Sequence, residues 1–189
     1  MKFENAQNLL AKYVKSKTLL RHSLTVAYVL EYFAKELGQQ CPQLWKSVGL
    51  LHDIDFELYP NEHCIKAKEI LNYEKQNFPE LTDEIIHAVL SHGYNIVNSV
   101  EPVSQMEKVL YAIDELTGLI FACAMARPSK SVNDLEVKSV MKKFKTPSFA
   151  ANCNREVIIN GAKMLGDDLE KIIEKTILAM RSHSQEIGV

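Results

Sequence analysis

The sequence predicts an all-α protein, folded as a single bundle of about eight or nine helices. Along nearly every segment, apolar residues recur three and four positions apart, which is the period of an amphipathic helix rather than of a strand. Residues that typically begin or end helices stand at matching places, such as Pro42 at a start and Gly38 at an end. With only 7 Gly and 6 Pro in 189 residues, and no internal repeat, the composition excludes disordered, collagen-like and repeat architectures.

Caps and apolar rows define the predicted helices of the first half. Thr18 is the predicted cap of the second helix, whose two apolar rows indicate burial on two sides, and His22 heads one of these rows. Thr82 is the predicted cap of the fifth helix. The helices are expected at about residues 3–14, 19–37, 42–52, 61–73 and 82–92, with a polar and aromatic loop at 54–60.

Similar signals divide the second half. Ser104 and Glu107 have the spacing of a capping box, which predicts the start of a long sixth helix that Pro128 ends. Asn133 and Glu136 share that spacing and predict a short basic helix, and Ser148 is expected to start the next one. The helices are expected at about residues 104–127, 133–144, 148–165 and 167–183.

Charge and cysteine content narrow the function classes. Lys and Arg number 22 against 24 Asp and Glu, a formal net charge of −2, so no overall field favours duplex nucleic acid or an anionic membrane. The longest apolar run, Leu116–Ala126, has 11 residues, whereas a membrane span needs about 20. The four cysteines form no C-x-x-C pair, and the first residues show no signal peptide. We therefore expect one cytoplasmic domain over residues 1–189, with no membrane or duplex nucleic acid partner; homo-oligomerisation is left open.

Four of the six histidines stand beside apolar neighbours, where an imidazole is a costly way to fill space. A buried imidazole needs a partner for each ring nitrogen, and a metal ion together with a hydrogen-bond acceptor supplies both. Adjacent helical residues point about 100° apart, so a His-Asp dipeptide at a helix end can serve one ion across a bend or two separate ions. Asp114 lies in the most apolar helix, where an unpaired carboxylate would cost several kcal/mol. These histidines are His22, His52, His63 and His92, and the dipeptide is His52-Asp53.

The order of His22, His52-Asp53 and Asp114 resembles the HD-domain superfamily of metal-dependent phosphohydrolases, over about residues 19–121. The resemblance implies a core at about 19–121 and a C-terminal extension at about 131–183. Two-metal members of this superfamily have two further histidines before the last Asp, and His63 and His92 stand where those belong. The resemblance thus implies divalent Mn, Fe, Ni, Co or Zn, two ions if all six residues are ligands: His22, His52, Asp53, His63, His92 and Asp114.

Other positions depart from the patterns of individual branches. Ile54-Asp55-Phe56 lacks the Lys that many two-metal members have after the dipeptide, and Phe56 replaces the Glu of a single-metal nucleotidase subgroup. The Gly-Tyr-Pro signature of cyclic dinucleotide phosphodiesterases is also absent at Gly93-Tyr94-Asn95. His87 is not expected to be a ligand, because it points about 140° away from His92 on the same helix. The sequence therefore leaves open whether one or two ions bind.

The resemblance implies hydrolysis of a phosphomonoester or phosphodiester of a small, nucleotide-like molecule by metal-activated water. Proton transfer is expected from Asp53, Asp55 or Glu57. Two alternatives stay open: a diiron oxygenase of the same superfamily, cleaving a C–C or C–P bond with O₂, and a binding or regulatory module without turnover. Arg127 reaches the metals only if the chain folds back after its helix. The candidates for phosphate contact are Arg21, Lys66, Arg127 and Lys130.

Overall fold

The computed structural model describes all residues, 1–189, and confirms the all-α prediction. No β-sheet is present, and the single isolated bridge joins Tyr94 and Asn98. A 3₁₀ turn at Pro60–Glu62 separates the third and fourth helices. The ten helices are α1 (Phe3–Tyr13), α2 (Lys17–Glu36), α3 (Pro42–Leu51), α4 (Ile65–Glu74), α5 (Asp83–Ser91), α6 (Gln105–Met125), α7 (Val137–Phe144), α8 (Arg155–Leu165), α9 (Leu169–Ser182) and α10 (Ser184–Ile187).

Helices α2 and α6 form the centre of the bundle. Both are long and mostly buried, and α2 packs against α3, α6 and α9, as its two apolar rows predict. Each of the ten helices contributes side chains to one continuous apolar core. At Gly49, α3 approaches α2 so closely that an added Cβ would lie 2.9 Å from the Cα of Ala27. This close packing holds the last turn of α3 beside the middle of α2.

The strongest capping signals are confirmed. The hydroxyl of Thr82 accepts the backbone N–H of Ile85 at the start of α5. Ser104 and Glu107 form the predicted capping box at the start of α6. Gly38 has a φ of +64° just after α2, the left-handed conformation expected of a glycine stop.

Several predicted helix starts are wrong. Helix α4 begins at Ile65 and not at Asn61, because the 3₁₀ turn and the left-handed backbone of Cys64 interrupt the chain first. Helix α8 begins after Asn154, whose side chain accepts two backbone N–H groups, so the predicted start at Ser148 falls in a turn. Likewise α7 begins at Val137 rather than at residue 133, and Ser16, not Thr18, precedes α2.

All four cysteines are free thiols. None of the ten helices combines the length and the apolar character that crossing a bilayer requires.

Candidate metal centre

The six predicted ligands lie together at one side of the bundle. His22 is on α2 and Asp114 on α6, while His52 and His92 directly follow the last residues of α3 and α5. His63 follows the 3₁₀ turn. Five separate parts of the chain therefore meet in this cluster, although up to 92 positions separate its members in the sequence.

Helix ends orient two of the imidazoles. The Nδ1–H of His52 donates to the carbonyl oxygen of Gly49 at 2.8 Å, and the Nδ1–H of His92 donates in the same way to Val89. A C-cap residue can point its ring back at the free carbonyl of the last turn in this manner. With Nδ1 committed as a donor, each ring directs its Nε2 into the cluster.

A carboxylate orients the third imidazole. Asp55 is fully buried, and its Oδ1 accepts the Nδ1–H of His63 at 2.8 Å, while its Oδ2 accepts the backbone N–H of Ala67 at 2.8 Å. The Nε2 of His63 therefore also faces the cluster. Although burial opposes it, this hydrogen bond to Asp55 helps to raise the pKa of His63 to about 9.

One half of the cluster is the first triad, which consists of His22, His52 and Asp114. The two Nε2 atoms are 3.2 Å apart, and Asp114 Oδ1 lies 3.0 Å from the Nε2 of His22 and 3.3 Å from that of His52. The other half is the second triad, His63, Cys64 and His92. Here the two Nε2 atoms are 2.9 Å apart, and the Sγ of Cys64 is 3.9 Å from the Nε2 of His92.

Asp53 lies between the two triads and turns one oxygen to each. Its Oδ2 is 3.3 Å from the Nε2 of His52 and 3.7 Å from that of His22. Its Oδ1 is 3.4 Å from the Nε2 of His63 and 3.6 Å from that of His92. A carboxylate in this position can bridge two cations.

The mostly buried carboxylates of Asp53 and Asp114 need positive charge close to them. Burial alone would lower the pKa of His52, but the carboxylates of Asp53 and Asp114 raise it to about 10. Burial likewise opposes the ionisation of the two carboxyl groups, yet the neighbouring imidazoles hold the pKa of both well below the usual range. Divalent cations would satisfy the carboxylates and the facing lone pairs of the histidines together. The donor set of imidazole, carboxylate and thiol therefore fits transition-metal ions.

A cavity of about 500 Å³ opens onto this cluster. Arg21 is the only Lys or Arg among the residues that line the cavity. Its guanidinium carbon lies 4.2 Å from the centroid of the Phe121 ring. Arg21 is therefore held in place by stacking, with its N–H donors available to an anion in the cavity. The apolar part of the wall includes Leu19, Phe56, Ile96, Val97 and Phe121.

The two other carboxylates predicted for proton transfer do not reach the cavity wall. Asp55 lies behind His63, and both its oxygens are occupied by the donors described above. Glu57 accepts the backbone N–H groups of Lys15 and Ser16, at 2.7 and 2.9 Å, just before α2. The predicted acid or base roles of these two residues disagree with their positions, because the side chains of Asp55 and Glu57 point away from the cavity, although Phe56 between them lines it.

Three of the predicted phosphate-binding cations also lie outside the cavity wall. Lys66 forms an ion pair with Glu69 at 2.8 Å on α4. Arg127 makes two hydrogen bonds to Asp134, at 3.0 and 2.8 Å, so the chain does not fold back to bring it to the cluster. Lys130 is exposed in the loop after α6. Of the four predicted cations, only Arg21 therefore lies at the cavity wall.

Sequence reasoning missed two residues of the site. Cys64 was passed over because the cysteines are far apart in sequence, although it directly follows His63. Glu115 lines the cavity next to Asp114, and burial, with the Asp114 carboxylate, raises its pKa to about 7. Each of the two residues directly follows a predicted ligand in the sequence, and this adjacency is the signal that could have identified it. His87 lies elsewhere, 2.9 Å from Glu107, and is not in either triad, as the sequence predicts.

Comparison with known proteins gives one match. A family model described as HD domain matches residues 19–119, which is more than half of the chain. The matched range includes all six predicted ligands. Neither a curated protein nor a solved structure matches the chain.

Proposed function

The chain belongs to the HD-domain family of metal-dependent phosphohydrolases, and from this membership we propose that it hydrolyses a phosphate ester of a small, nucleotide-sized molecule with two divalent transition-metal ions. The observation that carries the proposal is the position of Asp53 between two triads of donors at the wall of a cavity that also contains Arg21. Such an arrangement suits a substrate with a compact anionic group at one end.

Each half of the cluster would hold one ion. His22, His52 and Asp114 would bind the first, His63 and His92 the second, and Asp53 would contact both. The ions, when bound, supply Lewis-acid polarisation of phosphoryl oxygens and lower the pKa of water in the site. Asp55 maintains the ring orientation of His63 by accepting its Nδ1–H.

The remaining cavity residues would bind and orient the substrate. The planar guanidinium of Arg21 can donate two parallel N–H groups to a phosphoryl group. The rings of Phe56 and Phe121 and the side chains of Ile96 and Val97 offer apolar contact to the alcohol or nucleoside part of the ester. Glu115 lines the same cavity and would deliver a proton to the leaving oxygen.

The test is release of inorganic phosphate, or opening of a cyclic ester, from a panel of sugar phosphates, nucleoside monophosphates and cyclic nucleotides. The purified chain is loaded with Mn²⁺, Co²⁺, Ni²⁺ or Zn²⁺ and assayed with and without EDTA. We expect metal-dependent hydrolysis of at least one class of ester. Absence of hydrolysis across the panel, with ions shown to be bound, would contradict the proposal and favour a module without turnover.

An anaerobic arm separates hydrolysis from oxygen chemistry. The same assay is run with the iron-loaded chain in air and under argon. Hydrolysis consumes only water, so phosphate release should be equal in both. Turnover that stops under argon would instead indicate the oxygenase alternative.

A further inference from the structure

Cys64 occupies an unusual backbone position beside the second triad. Its φ is +66° and ψ is −35°, in a region that non-glycine residues rarely adopt, and the residue is 1% exposed. The side chain is thereby turned away from solvent and toward His92. Cys64 does not line the cavity, so its sulfur is placed against the cluster and not against a substrate.

The distances around Cys64 are compatible with one shared ion. Zinc ligand bonds are about 2.3 Å to sulfur and 2.0–2.1 Å to nitrogen, so a sulfur and a nitrogen on a tetrahedral ion lie about 3.5 Å apart. In the structure, Sγ of Cys64 is 3.9 Å from Nε2 of His92. The ligand atoms of His63, Cys64 and His92 all lie within 4.8 Å of one another.

The two histidines of this triad point to a ligand independently of the cysteine. His92 is 4% exposed, and its Nδ1 already donates to Val89, as the Nδ1 of His63 does to Asp55. Their Nε2 atoms therefore face each other at 2.9 Å, close enough to be joined by one shared proton or by a metal ion in its place. Both nitrogens are directed at one point, as two imidazole ligands of one ion would be.

Gly93 leaves room for the sulfur. A Cβ at this position would lie 2.7 Å from Sγ of Cys64, and equally close to side-chain atoms of Val97 and Asn98, so a larger residue would crowd the thiol. The absence of a side chain at Gly93 therefore leaves space for the thiol of Cys64 next to His92.

We propose that Cys64 is a thiolate ligand of the ion at the second triad, which would make the two ion positions chemically different. As the ion binds, the Sγ–H bond breaks, a sulfur–metal bond forms and the proton leaves to solvent. The second position then has two imidazoles, one thiolate and Oδ1 of Asp53; the first has two imidazoles, the carboxylate of Asp114 and Oδ2 of Asp53. Thiolate favours Zn²⁺, Co²⁺ or Fe²⁺ at the second position over Mn²⁺ or Mg²⁺. This inference rests on the proposed metal-dependent function.

Cobalt spectroscopy tests the inference without using activity. The full chain and Cys64→Ser are titrated with Co²⁺, and the near-ultraviolet thiolate-to-cobalt charge-transfer absorption is recorded. Cys153→Ser is the matched control, because Cys153 lines the same cavity but is not among the clustered donors. We expect the absorption in the parent chain and in Cys153→Ser, and its loss in Cys64→Ser together with at least about tenfold weaker Zn²⁺ binding at one position.

The outcomes separate this inference from the proposed function. No charge-transfer absorption in the parent chain, or its persistence in a folded Cys64→Ser, overturns thiolate ligation, even if phosphate release is normal. Absorption that depends on Cys64 without any ester hydrolysis upholds the ligand and contradicts the function. Should Cys64→Ser not fold, the single variants Cys41→Ser, Cys123→Ser and Cys153→Ser decide, because all three must keep the absorption.

Discussion

At the scale of single residues, Asp53 is the one side chain that faces both triads. Its two oxygens face different triads, so its negative charge compensates whatever cations each triad holds. The neighbouring His52 can be satisfied by one ion alone, whereas Asp53 would contact two. Substitution here therefore tests whether the halves act as one centre.

We predict that Asp53→Asn loses at least about a hundredfold in hydrolysis rate and binds fewer ions per chain, while remaining folded. The amide keeps the size of the side chain and removes its charge. Elemental analysis, circular dichroism and the ester assay measure the three properties. Glu57→Gln makes the same chemical change in a carboxylate that binds backbone N–H groups outside the cavity. It should keep full metal content, and an equal loss in both variants would argue against a special role for Asp53.

Arg21 should affect substrate binding and leave metal content unchanged. Arg21→Ala removes the only Lys or Arg side chain of the cavity wall, which we expect to contact the phosphoryl group of the substrate. We expect kcat/KM to fall about tenfold to a hundredfold, a cost of roughly 1.5–3 kcal/mol, as for a charged hydrogen bond. Steady-state kinetics and elemental analysis measure this. Lys66→Ala removes a lysine that pairs with Glu69 and Glu62 outside the cavity wall; it is the control and should leave kcat/KM close to that of the parent chain.

The sequence was sufficient to predict which six donors meet, and insufficient to predict what surrounds them. Histidine and aspartate next to apolar rows are informative because burial of these groups is expensive. The role of Asp55 depends on the path of the loop after Asp53, and that of Glu57 on the approach of the same loop to α2. Such contacts between distant segments leave no periodic pattern in the sequence.

At the scale of helices, the contact of α2 with α3 positions the first triad. His22 lies in the first half of α2 and His52 just after α3, so their separation depends on how closely these helices pack. Gly49 permits the approach: an added Cβ would lie 2.9 Å from Cα of Ala27 and 3.0 Å from the carbonyl oxygen of Val26, both backbone atoms. Neither atom can move without moving α2.

Gly49→Ala should therefore lower the free energy of unfolding by about 1–3 kcal/mol, the usual cost of overpacking, and weaken metal binding at the first triad. Gly118→Ala in α6 is the control. Its added Cβ would meet only the Sγ of Cys153, at 3.4 Å, and alanine gains up to about 1 kcal/mol of helix propensity over glycine. Urea unfolding of both variants gives the comparison. A stable Gly49→Ala would show that the helices can separate without cost.

Glu74 on α4 connects this helix to α1 through a buried carboxylate. It accepts hydrogen bonds from Lys12 at 2.7 Å, Tyr13 at 2.8 Å and Asn77 at 3.0 Å, and the residue is 3% exposed. Burial alone would raise the pKa of Glu74, but Lys12 and the other two donors lower it below its ordinary value of 4.5. The carboxylate therefore contributes stability that is fully present above pH 4.5 and is lost as the pH falls through the lowered pKa.

Replacement of this carboxylate should make the fold less sensitive to acid. We expect Glu74→Gln to cost about 1–3 kcal/mol near pH 7, where the charged form is fully present, and much less near pH 3. Urea unfolding of the parent chain and the variant at pH 7, 5, 4 and 3 measures the difference. A gap between the two chains that widens as the pH falls would have the wrong sign and contradict this role.

Helix boundaries show the same division between local and distant causes. Thr82 and the Ser104–Glu107 box were predictable because each cap acts within its own turn. The start of α8 was not predictable. The guanidinium of Arg155 donates hydrogen bonds to the carbonyl oxygens of Phe149, Ala150 and Cys153, and these bonds stabilise a turn where the apolar spacing indicates a helix. Propensity alone does not register that contact.

At the scale of the whole molecule, metal binding would tie together parts of the chain that the apolar core joins only indirectly. The donors come from α2, the end of α3, the segment before α4, the end of α5 and α6. Without cations, these buried carboxylates and imidazoles depend on shared protons for charge balance. Ions that bind only the folded chain would therefore raise its overall stability.

We expect Zn²⁺ or Mn²⁺ to raise Tm by at least about 5 °C and EDTA to reverse the rise. At a free concentration 100 times Kd, one ion contributes about 2.7 kcal/mol, and a chain of this length gains roughly 2–4 °C per kcal/mol. Differential scanning fluorimetry measures the shift in the parent chain, in Asp114→Asn and in His87→Ala. The rise should be smaller in Asp114→Asn, because the first triad loses its carboxylate, and unchanged in His87→Ala, whose imidazole contacts Glu107 outside the cluster. An equal rise in all three chains would place the stabilising ions elsewhere on the molecule.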